Sequence, residues 1–158
     1  MNSNELLISQ FYTCFQNKDY KGMQDCYADN AIFNDAVFKN LNAKEVKAMW
    51  QMLISSGKDM RIEFKDIKAI NNTVTAHWDA YYTFSKTGNK VINKIDASFI
   101  IENGKIISHN DSFNFYQWAK QALGFTGLLL GWTPLLKNKV QKTAQESLKT
   151  FMKKSNIA

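Results

Sequence analysis

The sequence predicts an α+β fold, a curved antiparallel sheet wrapped around N-terminal helices, with a helical extension at its C-terminal end. As far as Ser55 the apolar residues recur every three or four positions, whereas from Met60 the repeat shortens to two over four successive runs. The runs are joined by turn sequences, Asn71-Asn72, Lys86 to Lys90 around Gly88, and Asn103-Gly104, the last a strong hairpin signal. A meander of long strands with its helices gathered ahead of it must pack them on one face.

Taken in order, Leu7, Ile8, Phe11, Cys14 and Phe15 form the apolar stripe of a first helix, with Ser3 or Asn4 as its cap. Asp19 caps a second helix carrying Met23, Cys26 and Tyr27, and Ala31 to Phe38 reads as a short strand. Asn42 followed by Glu45 has the form of a capping box before a helix with Val46, Met49, Trp50 and Leu53 inward. In the first long run the phase slips between Phe64 and Ile67, which predicts a bulge near Lys65 or Asp66 and hence a bend in the sheet. Parity then assigns Val74, Ala76, Trp78, Ala80, Tyr82 and Phe84 to the inner face of the second run, leaving His77 outside. Val91, Asn93, Ile95, Ala97 and Phe99 point inward from the third, and Ile107, His109, Asp111, Phe113 and Phe115 from the fourth. Tyr116 to Leu123 reads as a short helix, followed by a glycine-punctuated apolar run through Trp132. Beyond Pro134 a last helix has one apolar stripe and a lysine-rich opposite face. The expected organisation is a domain over 1–134 and a basic amphipathic helix over 135–158, packed on the domain or on a partner subunit.

Composition limits the function. With 158 residues, 45% hydrophobic and 13% aromatic, the chain can bury a core without staples. Cys14 and Cys26 on helices, with no secretory leader pattern, predict reduced thiols and a cytoplasmic protein. The net charge of +6 is concentrated after Leu136, in six lysines against Glu146, and Arg61 is the sole arginine. Recognition of nucleic acid draws on arginine forks, so no nucleic-acid partner is expected. The basic helix reads first as a solvated face, with contact to a membrane surface as the lesser alternative.

Asn93, His109 and Asp111 are thus polar groups on an apolar face, and Asp35 joins them if Phe33, rather than Ile32, points inward. A buried carboxylate requires a partner. His109 lies two residues from Asp111 on the same strand face, about 6 to 7 Å by strand rise. Such a pair can act as a base near neutral pH, or it can be a satisfied polar network that fixes the core. Trp50, Trp78, Tyr82 and Phe113 are expected as walls, with Tyr27 a further hydroxyl donor. The cysteines and histidines lack metal-site spacing, and neither a phosphate-binding glycine loop nor a nucleophile elbow is present, so no cofactor is expected.

From Phe11 through Pro134 the chain resembles the SnoaL-like branch of the nuclear transport factor 2-like, or cystatin-like α+β, superfamily. The most specific residues are Asn93, Ala97, Phe99, Asn103-Gly104-Lys105-Ile106, His109-Asn110-Asp111-Ser112-Phe113, Trp118-Ala119, Gln121-Ala122-Leu123-Gly124 and Gly131-Trp132-Thr133-Pro134. The resemblance implies a cone with a pocket at its open end and a homodimer formed through the outer sheet face, where Tyr81, Ile92, Ile100 and Ile106 fall by parity. It also implies a small hydrophobic ligand. In the polyketide cyclases an acid set like Asp111 is the general base, and in the ketosteroid isomerase pattern Asp35 and Tyr27 correspond to oxyanion donors. An isomerase- or cyclase-type enzyme acting on a carbonyl compound and a non-catalytic binding or protein-interaction module are the two readings. The glycine-rich run is expected to pack against the cone as a lid or wall near the pocket.

Overall fold

The computed structural model describes residues 1–157. Helices α1 (Ser3–Gln16), α2 (Tyr20–Asp25) and α3 (Ala43–Ser56) surround strand β1 (Tyr27–Asn34) in the chain. The meander follows as β2 (Arg61–Ile70), β3 (Thr73–Thr83), β4 (Lys90–Glu102) and β5 (Lys105–Ser112), and α4 (Phe115–Leu123), α5 (Phe125–Leu130) and α6 (Pro134–Lys154) complete it. The sheet order is β1-β5-β4-β3-β2, antiparallel except that β1 runs parallel to β5. Phe11, Tyr12, Phe33, Trp50 and Phe99 are the centre of the core between the sheet and the helices.

The predicted bulge is present. Lys65 stands opposite His77 but Lys68 opposite Thr75, and the extra residue is accommodated with Asp66 at φ +57°. A second bulge was not legible. Ile100 faces Ser108 while Ile101 faces Ile106, so Ile107 is the extra residue in β5. It reverses the parity at the strand's start, burying Ile106 completely and removing it from the outer face expected for it. Past the bulge the parity of His109 and Asp111 holds.

Three local readings change for physical reasons. Asn2, not Ser3 or Asn4, caps α1, because its side chain takes the Asn4 and Glu5 N–H groups while Glu5 returns a bond to Asn2 N. Helix α2 ends at Cys26, so Tyr27 opens β1 and its ring enters the core from a strand. Strand β5 stops at Ser112 because the Asn114 side chain accepts from Gln117 N and starts α4.

The glycine-rich run is not a lid. Gly127 lies so close to α4 that a Cβ there would stand 1.8 Å from the Ala119 carbonyl oxygen, and a Cβ at Gly131 would meet Ala119 and Tyr116. Those close approaches seat α5 on the back of α4. Helix α6 lies along the domain. Its Leu148 is buried in the core, Leu136 and Val140 pack beside α4, and Gln141 Nε2–H donates to the Ala36 carbonyl at 2.9 Å. Among the described residues no helix is long and apolar enough to cross a membrane.

Candidate functional site

Between the inner sheet face, α3 and α4 lies a cavity of about 290 Å³, roughly ten water volumes. Its floor comes from β3 and β4 through Trp78, Ala80, Tyr82, Asn93 and Ile95, and one wall from α3 through Met49, Trp50 and Leu53. The opposite wall is Phe113 and Trp118, with the exposed Ser56 and Ser85 at the rim. Among the described residues, Asp111 and Asp35 are the only carboxyls that line it.

Register explains why these two meet. Phe33 is fully buried and Ile32 is 40% exposed, so the inward parity in β1 is that of Phe33 and continues to Asp35. The β1–β5 ladder pairs Phe33 with His109 and Asn34 with Asn110, so the next pair along would be Asp35 and Asp111. Asp35 lies one residue past the end of β1, and both carboxyls line the cavity, near enough for the Asp111 charge to act on Asp35. No alternation rule within either strand reveals this.

Asp111 is 8% exposed, and behind it stands His109, wholly buried, with Nε2 2.9 Å from Asp111 Oδ1. Tyr27 Oη is 2.7 Å from His109 Nδ1, and Trp50 Nε1–H donates to that same hydroxyl at 2.9 Å. The chain of bonds has a direction. Trp50 can only donate, so Tyr27 Oη accepts from it; an Asp111 carboxylate can only accept, so a neutral imidazole takes the Tyr27 O–H at Nδ1. His109 is then left with its proton on Nε2, which donates to Asp111. Burial pushes the Tyr27 phenol well up, which keeps it the donor this order requires. The imidazole is held by rings on every side: Phe99 at 4.1 Å, Phe33 at 4.9 Å, and Trp50 and Tyr27 stacked at 6.1 Å. His109 and Tyr27 do not line the cavity. Tyr27, expected as a pocket residue, stands in the second rank because it enters from the start of β1, beneath Asp111 rather than beside it.

Asp35 is held differently. Its Oδ1 accepts from Val37 N at 2.7 Å and Phe38 N at 2.6 Å, a turn that fixes the β1–α3 loop. Burial is the main cause that lifts its pKa to about 6; the nearby Asp111 adds to the rise, and the two backbone N–H groups and Lys39 oppose it. A carboxyl lifted in this way binds its proton more tightly folded than unfolded. Its contribution to stability is therefore complete below about pH 4 and is lost as pH rises through about 6, by up to about 3 kcal/mol. Asp35→Asn keeps an Oδ1 for both N–H groups and is expected to abolish that loss, melting higher than the parent at pH 8 but not at pH 4. Parallel pH slopes for parent and variant would exclude Asp35 as the titrating group.

The other expected residues fall as follows. Asn93, Trp78, Tyr82, Trp50 and Phe113 all line the cavity, and Tyr82 Oη accepts from Trp118 Nε1 at 2.7 Å. Trp118 was not anticipated, although its signal was in the sequence: Phe115, Trp118, Ala119 and Ala122 give α4 a buried stripe. His77 lies on the outer face between Asp96 at 2.7 Å and Asp79 at 3.1 Å, and these acids raise its pKa. Arg61 is also outside, paired with Glu63 and 4.1 Å over the Tyr81 ring. Among the described residues no group of three or more His, Cys, Asp or Glu side chains could hold a metal ion.

The sequence matches the model of the SnoaL-like domain over residues 8–109. No curated protein matches it. Among solved structures, IdmH from Streptomyces antibioticus, a proposed polyketide cyclase, superposes with a TM-score of 0.65 at 17% identity, covering 76% of this chain and 98% of that one. An LEH-like epoxide hydrolase of M. tuberculosis superposes at 0.61 with 18% identity over 85% of this chain and 95% of its own. An NTF2-like protein of unknown function from Burkholderia pseudomallei gives 0.64 at 16% identity, over 72% and 92%. At such identities the structures speak for the fold alone, and with the domain match covering most of the chain, this protein belongs to the SnoaL-like family and has the NTF2-like α+β fold.

Proposed function

We propose that the cavity binds a small hydrophobic carbonyl compound and moves a proton on it, as an isomerase or cyclase does. The observation that carries this reading is the pairing of two carboxyls in different environments in one apolar cavity, one backed by a directed hydrogen-bond chain, the other with its pKa lifted to about 6. Asp111 is the base: its carboxylate removes a proton from the carbon next to the carbonyl, and the His109 N–H steadies the carboxyl's orientation. Asp35, holding a proton for part of the time near neutrality, donates it or a hydrogen bond to the carbonyl oxygen as negative charge develops there. Trp78, Phe113 and Trp118 supply the flat apolar contact that an aromatic or alicyclic ligand needs. Arg61, over the Tyr81 ring on the far side of the sheet, takes no part in this chemistry.

The test needs no knowledge of the natural substrate. Apolar cyclic ketones and β-diketones are incubated with the protein in deuterium oxide, and exchange of the protons next to the carbonyl is followed by NMR. Catalysed exchange is expected for at least one, with a rate that falls as pH rises through about 6 and Asp35 loses its proton. If ketones bind in the cavity without any acceleration of exchange, the pocket is a binding site only.

A further inference from the structure

The chain's surplus charge and its largest run of exposed apolar groups lie in the same C-terminal stretch of the sequence. Residues 113–158 contain seven lysines and one acid, Glu146, so the whole net charge of +6 resides there. In the same stretch Phe125 and Trp132 are each 73% exposed and Leu135 78%, with Leu128, Leu129 and Leu130 about half exposed. Scattered exposed leucines mean little, but six large apolar side chains within eleven residues make a patch.

The patch is rigidly mounted. Gly127 and Gly131 press α5 against Ala119, and Tyr116 Oη–H donates to the Leu128 carbonyl at 3.1 Å. Cations border the same support: Lys120 Nζ lies 5.3 Å from the Tyr116 ring and Lys137 Nζ 5.8 Å from the Phe115 ring. The apolar stripe of α6 is not available for the same purpose, because Leu136, Val140, Ala144, Leu148 and Met152 pack inward. The unpartnered apolar surface is therefore α5 and the turn after it.

We propose that α5 and the Gly131–Leu135 turn dock on the surface of an anionic lipid bilayer. Phe125, Leu129 and Trp132 enter the boundary between headgroups and acyl chains, and Lys120, Lys137 and the exposed lysines of α6 face the lipid phosphates. Charge decides between this occupant and a second copy of the chain. Self-association through the patch would bring two lysine-rich ends together, whereas an anionic bilayer offers hydrocarbon to the leucines and opposite charge to their border. Trp132 suits the boundary as a broad exposed ring whose one N–H is already bonded to the Leu129 carbonyl.

The full chain is mixed with vesicles of phosphatidylcholine alone or of phosphatidylcholine with phosphatidylglycerol, and sedimented. Binding to the anionic vesicles is expected to exceed that to the neutral ones by about tenfold and to weaken with added salt. Acyl chains brominated near the headgroup should quench indole emission, and Trp132→Phe should remove that quenching while binding persists. Leu129→Glu, at an exposed position, is expected to abolish binding with an unchanged melting temperature. Equal binding to both vesicle types, undiminished binding of Leu129→Glu, or quenching retained in Trp132→Phe would each overturn the proposal. It would also fail if light scattering without lipid showed a dimer of the parent chain that Leu129→Glu dissociates, since the patch would then be an interface between copies.

Discussion

Asp111→Asn is expected to reduce proton exchange on a bound ketone by about 10²- to 10⁴-fold, the usual contribution of a positioned general base. The substitution is nearly isosteric. Its amide oxygen still accepts from His109 Nε2–H, so the chain from Trp50 through Tyr27 remains bonded and the core should not rearrange. What is lost is the ability to take up a proton. Melting within about 2 °C of the parent, together with loss of exchange and retained ketone binding, would separate chemistry from folding. Unchanged exchange in a folded Asp111→Asn would remove Asp111 from the reaction, and the cavity would then be a binding site that happens to contain two acids.

Tyr27→Phe should have the largest effect on stability. The Tyr27 hydroxyl sits between two buried groups, accepting from Trp50 Nε1–H and donating to His109 Nδ1. Removing it leaves a buried donor and a buried acceptor without partners, at about 1–3 kcal/mol each, partly relieved if a water enters. A loss of about 2–4 kcal/mol corresponds to roughly 5–15 °C in melting temperature for a chain of this size. The ring remains, so its packing against Phe11 and His109 is kept and the effect belongs to the hydroxyl. A merely structural hydroxyl would lower stability without altering the imidazole. The directed chain adds a spectroscopic consequence: in the parent, nitrogen NMR should find His109 protonated at Nε2 and bare at Nδ1, and in Tyr27→Phe that preference should weaken. The opposite tautomer in the parent would reverse the direction of the chain and detach Trp50 and Tyr27 from the orientation of Asp111.

Much of this molecule was legible in its sequence, because strand and helix periodicities report directly on which side chains avoid water. The switch from a repeat of 3.6 to one of 2 near Met60, the Asn103-Gly104 hairpin and the phase slip at Asp66 are local signals, and the order of elements and the bend of the sheet follow from them. Parity also placed His109 and Asp111 on the buried face. It failed at Ile106, where a bulge with no sequence mark of its own shifts the strand by one residue, and at Tyr27, where the end of α2 hands the residue to a strand. The seat of α5 on α4 was equally hidden, since the close approach at Gly127 is a property of two surfaces and not of one segment.

The sequence by itself determined the fold class, the inward faces and the presence of an acid and a histidine among apolar residues, all of which depend on spacing along one strand or helix. Only the tertiary structure decided that Asp35 and Asp111 line one cavity, that Trp50 and Tyr27 orient His109 from behind, and that Trp118 closes the cavity. Those relations join residues 23 to 82 positions apart. They arise from how β1 registers against β5 and how the helices lie on the sheet, and the energy that selects that register is the burial of Phe33, Trp50 and Phe99 together, which no single segment's periodicity encodes.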